Sequence, residues 1–179
     1  MMNEIIRGRW AGAIFNGEFM CVETWSGYRS GTHADPKGSL IFLERNASDE
    51  VIGLAVQDAL AQSRWVLGTP RAGSVYPPDV EFDSDLYDHK LAAERYVVWT
   101  KALMERLGYK TKRALFKDME NCAIEAIGGV MKIIPKRHVK LEAWEGLGPN
   151  HAGAVEIPAD SPPAEIGAAV RLAFTRCTE

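Results

Sequence analysis

The spacing of apolar and polar positions divides the chain into extended segments near its start and in its second half, separated by helical stretches. Ala13-Ile14-Phe15 and Phe19-Met20-Cys21-Val22 flank Asn16-Gly17. Asn-Gly suits the two positive φ angles of a type I′ turn, so this stretch predicts a β-hairpin. Tyr28 to Ser39 is rich in Gly, Ser and Asp and predicts a loop, after which the apolar run Leu40-Ile41-Phe42-Leu43 predicts a buried strand. Gly128-Gly129, set between Cys122 to Ile127 and Val130 to Ile134, predicts a second hairpin. Val139 to Trp144 and Ala154 to Ile157 predict further strands.

The helical stretches carry their own start and stop signals. Asn46 and Ser48 offer N-caps, Asp49 and Glu50 suit the positive end of a helix dipole, and Ile52, Ala55, Val56, Ala59 and Leu60 share one face. They predict a helix that ends near Arg64-Trp65. Leu91, Ala92, Tyr96, Trp99, Leu103 and Leu107 recur at helical spacing ahead of Gly108, predicting a helix from about Asp88 to Leu107 with a glycine stop. Between the two, Gly68, Pro70, Gly73, Pro77 and Pro78 predict one long surface loop over residues 68–88. Ser161-Pro162-Pro163-Ala164-Glu165 opens a last helix, with prolines where a missing N–H is harmless, and Ile166, Ala169, Val170 and Ala173 form its inner face.

Leu40 to Ala59 aligns without a gap onto Ala154 to Ala173, so that Ile52, Gly53, Ala55, Val56 and Ala59 recur as Ile166, Gly167, Ala169, Val170 and Ala173. Each copy reads as strand, polar capping loop and helix, the pattern either of an internal duplication whose units pack as pseudo-equivalent halves or of a chance match between Ala-rich helices, and it supports the same strand and helix assignments in both cases. Glycine inside a helix costs up to ~1 kcal/mol relative to alanine. Gly53 and Gly167 are therefore expected to be structural, kept for close packing against the sheet. Hairpin-joined strands interrupted by helices predict a single-domain α+β fold, a mainly antiparallel β-sheet with about three main helices.

Composition narrows the function. With 179 residues, 46% of them hydrophobic and 25% charged, the chain suits one globular domain that needs no metal or disulfide staple. A formal net charge of −3 gives no general attraction to nucleic acid. The N-terminus has no signal-peptide pattern and no long apolar run follows, so a cytoplasmic protein with no membrane partner is expected. Cys21, Cys122 and Cys177 are odd in number and far apart in sequence, which reads as buried small hydrophobes. His33, His89, His138 and His151 are scattered, and no HExxH, GxSxG, Walker A or GxGxxG pattern occurs. No catalytic, cofactor or metal residues are assigned.

Three segments keep other chemistry open. Lys110 to Lys117 concentrates basic charge and would serve a nucleic-acid module, although a solvated face anchored by Leu115, Phe116 and Met119 is the simpler reading. A histidine with Asp85, Asp88 or Cys122 would serve a small enzyme. Asp79-Val80-Glu81-Phe82-Asp83-Ser84-Asp85-Leu86-Tyr87-Asp88 sets five acids among aromatic and apolar anchors. Such a loop suits either solvation or a basic protein partner, with Asp79, Glu81, Phe82, Asp83, Asp85, Tyr87 and Asp88 as contact residues. Trp10, Trp25, Trp65, Trp99 and Trp144 are expected mainly in the core.

Residues Gly108 to Lys117, Cys122, Lys140-Leu141-Glu142-Ala143-Trp144, Ile157 to Ser161, Glu165-Ile166-Gly167, Arg171, Phe174 and Cys177 resemble the immunity proteins of contact-dependent growth inhibition, the CdiI family. Upstream, Ser48-Asp49-Glu50, Gly53, Ala59-Leu60 and Ser63-Arg64 also fit, whereas the N-terminal hairpin and residues 68–88 find no match. The resemblance implies a small cytoplasmic α+β protein that binds the C-terminal toxin domain of a large effector and blocks its active site. Such toxins are commonly nucleases, and the resemblance assigns no contact residues.

Overall fold

A computed structural model describes residues 5–29 and 31–179. Two long strands, β1 (Arg9–Phe15) and β2 (Phe19–Ser26), form the expected hairpin, with Phe15 opposite Met20. Its turn differs from the expectation: Gly17 has φ +89°, but Asn16 does not enter the left-handed region. The Asn16 side chain explains the difference. Its carbonyl accepts from the N–H groups of Glu18 and Phe19 at 3.1 and 3.3 Å, while its amide donates to Tyr109 Oη and the Leu115 carbonyl. Turn formation and tertiary anchoring are thus combined in one residue.

β3 (His33–Ala34) and β4 (Leu40–Glu44) both pair with β2, and β1 pairs on its other side with β7 (Glu120–Ile127). Gly128 and Gly129 have φ of +61° and +81°, the two left-handed positions of the expected tight turn, and lead into the long β8 (Val130–Lys140). β10 (Val155–Pro158) pairs with the first part of β8 and β9 (Ala143–Gly146) with the last part; Pro135, which has no N–H to donate, falls between them. Val139 to Trp144 is therefore not one strand. The chain reverses at Leu141-Glu142, a turn without the glycine or proline that would have marked it. Together these form an eight-stranded, antiparallel sheet. β5 (Val66–Leu67) and β6 (Glu81–Phe82) make a short parallel pair beside it.

Strand alternation gives the sheet two apolar faces. Ala11, Ala13, Met20, Val22, Ile124, Met131 and Ile133 meet α1 (Asp49–Ala61) and α4 (Pro163–Thr175) in one core cluster. α1 starts at Ser48, whose hydroxyl accepts from the Val51 N–H, and stops at Ala61, before the expected Arg64-Trp65. Gly53 and Gly167 lie where the two helices cross, rather than against the sheet as expected. A Cβ on Gly53 would run into the Pro163 carbonyl, and one on Gly167 into the Asp49 carbonyl. In the gapless alignment Asp49 corresponds to Pro163 and Gly53 to Gly167, so the crossing is reciprocal: each glycine receives the other helix's first residue.

On the opposite face, Ile14, Phe19 and Cys21 pack with α2 (His89–Leu107) and α3 (Lys112–Phe116) through Leu103, Leu115, Phe116 and Met119. Asp88 caps α2, accepting from the N–H groups of Lys90 and Leu91, and Gly108 ends it with φ +75° as expected. The predicted inner stripe of α2 is only partly covered. Leu103 is buried, Leu91, Ala92 and Trp99 are half-buried, and Tyr96 and Leu107 are exposed. Among the tryptophans, Trp10 and Trp65 are core, while Trp25, Trp99 and Trp144 are half-buried. No described helix is long and apolar enough to cross a membrane.

Candidate functional site

The incomplete seating of α2 leaves a cleft of about 1250 Å³ between the helix, from Leu91 to Arg106, and the sheet. Leu91, Val98 and Trp99 come from α2, Leu40 and Phe42 from β4, and Trp144 from β9. The run Leu40 to Leu43 was expected to be buried; instead β4 is an edge strand, and Leu40 is 47% exposed. Its apolar residues serve both faces: Ile41 and Leu43 join the core under α1, whereas Leu40 and Phe42 face the cleft.

Polar groups sit on the cleft floor. Gly12 has no side chain, and a Cβ there would lie 2.6 Å from Trp25 Nε1, so the indole occupies the space above it. That indole donates to Glu23 Oε1 at 3.1 Å, and Lys136 Nζ lies 5.3 Å from the Trp25 ring centroid. Burial pushes the Glu23 carboxyl above its ordinary value, against the Trp25 hydrogen bond and the Lys136 charge. Burial likewise lowers Lys136. Trp99 Nε1 is buried without a partner among the described residues. An apolar cleft with a few convergent polar groups is the usual form of a binding site. Trp25 and Trp99 were expected from the sequence mainly in the core, and Gly12, Glu23 and Lys136 were not singled out there. The available signal was Glu23, the one charged residue in β2, whereas Lys136 shares β8 with Lys132, Arg137, His138 and Lys140 and does not stand out.

The acidic segment lies at the mouth of this cleft, because Tyr87 meets His33 edge-on at 5.0 Å and His33 lines it. The segment is more ordered than one long loop. β6 pairs with β5, and a 3-10 turn at Ser84–Tyr87 leads to the α2 cap. Its carboxylates divide by role. Asp83 accepts from Arg64 and pairs with Lys37, both at 3.0 Å, and Arg64 also grips the buried Asp35 through two bonds of 2.7 and 3.0 Å. The Lys37 hydrogen bond holds Asp83 below the usual carboxylate range. Burial would raise Asp35, but hydrogen bonds from Arg64, Ser26 and the Lys37 N–H outweigh it and hold Asp35 low. Asp88 is spent on the helix cap, and Tyr87 Oη donates to the Val66 carbonyl at 2.6 Å. Leu86 is buried as an anchor to the protein's own body. Asp79, Glu81, Phe82 and Asp85 remain exposed, the first two only loosely paired with Arg7 and Arg64.

Among the described residues no histidine side chain is hydrogen-bonded to Asp85, Asp88 or Cys122. Cys122 is fully buried under α4, His138 stacks on Trp144, and His151 accepts from the Gly153 N–H. No group of three metal-ligating side chains occurs among the described residues. In the basic segment Lys112 pairs with Glu142 and Lys117 with Asp118, while Leu115, Phe116 and Met119 are buried as expected.

The family model for the CDI immunity protein, CdiI, matches residues 9–177. The chain belongs to the CdiI immunity protein family. The match takes in the N-terminal hairpin and residues 68–88, to which the resemblance in the sequence did not extend. Immunity protein CdiI-YPIII of Yersinia pseudotuberculosis serotype O:3 (strain YPIII) is 47% identical over 176 residues, covering 98% of this chain and 99% of that protein. A CdiA-CT/CdiI toxin and immunity complex from Yersinia pseudotuberculosis contains a chain 46% identical, with a TM-score of 0.92, covering 98% of this chain and all of that one. NMB0488 from Neisseria meningitidis, a protein of unknown function, is 37% identical with a TM-score of 0.80 and 99% of each chain covered. This CdiI relative thus shares the architecture of the two solved chains over at least 98% of its length.

Proposed function

We propose that this CdiI family member binds the C-terminal toxin domain of a contact-dependent inhibition effector and holds it inactive, in the cytoplasm and without catalysis. The observation that carries the reading is the full-length likeness to the immunity chain of a toxin–immunity complex. The cleft under α2 and the acidic segment at its mouth form the contact surface. Leu40, Phe42, Val98 and Trp144 offer desolvated anchors, the kind of contact that makes dissociation slow. Asp79, Glu81, Phe82 and Asp85 meet the toxin, while Asp83, Tyr87 and Asp88 hold the segment in shape. The toxin is a nuclease, whose cationic phosphate-binding cleft would attract such exposed carboxylates and speed the encounter.

Co-expression with the toxin domain encoded beside this chain tests the reading. Cells should grow with the wild type, and continued arrest despite abundant soluble protein would refute it. Val98→Glu with Leu40→Lys should raise the dissociation rate at least tenfold, and Glu81→Lys with Asp85→Lys should slow association at low salt, both with unchanged melting temperature. Wild-type kinetics in both double variants would move the interface elsewhere.

A further inference from the structure

We propose that Cys122 and Cys177 form a dithiol that a hydroperoxide oxidises to a disulfide, a modification site that ties the end of the chain to β7. The two cysteines are 55 positions apart, yet their sulfurs lie 3.7 Å from each other. Backbone contacts hold both in place. Cys122 is a central residue of β7, paired with Ala13 on one side and Pro135 on the other. Cys177 follows α4, its N–H donating to the Phe174 carbonyl at 3.1 Å, and the next residue is fixed by the His138 N–H donating to the Thr178 carbonyl at 2.8 Å. A disulfide needs the sulfurs about 2 Å apart. Rotation about the Cys177 side-chain bonds and a small shift of the terminal segment provide that closure.

The pair is chemically asymmetric. Cys122 is fully buried and Cys177 is half-buried. Either thiol can donate in the contact between the two sulfurs, and that contact raises Cys122 and lowers Cys177. Cys177 therefore ionises first and is also the one that solvent reaches. Its thiolate attacks one oxygen of the hydroperoxide, the O–O bond breaks, and the departing oxygen leaves as water or alcohol after taking a proton. The resulting sulfenic acid is attacked at sulfur by Cys122, forming the S–S bond and releasing water. Two thiols lose two electrons and two protons, and the hydroperoxide is reduced by the same two electrons. Cys21 lies on the opposite face of the sheet, where burial pushes its thiol up, and has no partner in this chemistry. Asn121 lines the cleft and Cys122 points away from it, so the site is independent of the proposed toxin surface.

Treating the purified full chain with a small excess of hydrogen peroxide tests this. Free thiols titrated in denaturant should fall from three to one, the intact mass should drop by two hydrogens, and peptide mapping should link Cys122 to Cys177. Closing a loop of this length should raise the melting temperature by several degrees, and dithiothreitol should reverse every change. Cys177→Ser, a change at a half-buried position, should fold normally and show none of these responses. The proposal is overturned if all three thiols persist, if Cys177 accumulates as sulfinic acid, or if the linkage formed involves Cys21 or a second molecule.

Discussion

The two faces of one sheet are built to different ends. Under α1 and α4 the sheet is sealed by small residues and a glycine-to-carbonyl helix crossing, so that Ile52, Val56, Ala59, Ile166, Val170 and Ala173 have almost no contact with solvent. Under α2 the helix is seated through Leu103, beside Phe116 and Met119, and a cleft with Glu23 and Lys136 on its floor runs along it from Leu91 to Arg106. The contrast separates stability from recognition: the close-packed face keeps the strands in register, and this leaves the other face free to expose apolar and charged groups that a folding core would not retain.

The sharpest way to break that contrast is to add one methyl group to each face. Gly53→Ala sets a Cβ against a backbone carbonyl that cannot rotate away, so the helices must separate; a loss of more than about 3 kcal/mol is expected, with Gly167→Leu worse. For a chain of this size each kcal/mol lowers the melting temperature by roughly 2–4 °C. Gly12→Ala meets only the edge of the Trp25 indole, which can swing into the cleft, and should cost about 1 kcal/mol. Equal losses in thermal melts of Gly12→Ala and Gly53→Ala would mean that the cleft face is packed as rigidly as the sealed one.

A second, smaller effect probes the join between the faces. Arg64→Ala removes the partner of the buried Asp35 and of Asp83, leaving Ser26 Oγ and the Lys37 N–H on Asp35 and Lys37 on Asp83. The expected loss is about 2–3 kcal/mol, under the range for a pair with no other support. Both carboxylates are held below their unfolded value near ~3.9, so this stability is complete above that value and disappears as pH falls through the lower folded ones. Urea titrations at pH 7 and pH 3 should therefore show the gap between wild type and Arg64→Ala shrinking in acid. A constant gap would make Arg64 a packing residue.

Local signals served the sealed face well. Ser48 with Asp49 and Glu50 opened α1, Gly128-Gly129 gave the tight hairpin, and the recurring Ile-Gly-x-Ala-Val pattern marked the two helices that meet. It did not reveal that the glycines face each other, because a period of 3.6 reports a face and not its partner. The cleft was less legible for the same reason. Tyr96 and Leu107 fit the α2 stripe as well as Leu103 does, yet Leu103 is buried and the other two are exposed. Asp83 and Asp85 look alike in sequence, but Arg64, contributed from after α1, captures the first and leaves the second exposed. Cys122 and Cys177 are likewise remote in sequence and adjacent in space.

The smallest expected effect concerns the cleft floor and has the opposite sign. Glu23 and Lys136 form no ion pair with each other among the described residues, so each bears its desolvation with limited relief. Because burial raises the folded value of Glu23, its contribution to stability is fully present below the unfolded value near ~4.3 and is lost as pH rises through the folded one. Glu23→Gln keeps the shape and the Trp25 hydrogen bond but stays neutral at every pH. It should therefore stabilise the protein by about 1 kcal/mol at pH 7 to 8, with the gain disappearing below about pH 4. On the sealed face no such gain is available, since its buried residues carry no charge to remove. A stabilised variant that still protects against the toxin would assign the Glu23 charge to neither task, whereas one that gains stability and loses protection would make it a recognition group kept at the expense of the fold. Loss of stability at pH 7 would show instead that attraction between Glu23 and Lys136 exceeds the cost of burying them, and that the cleft floor belongs to the scaffold.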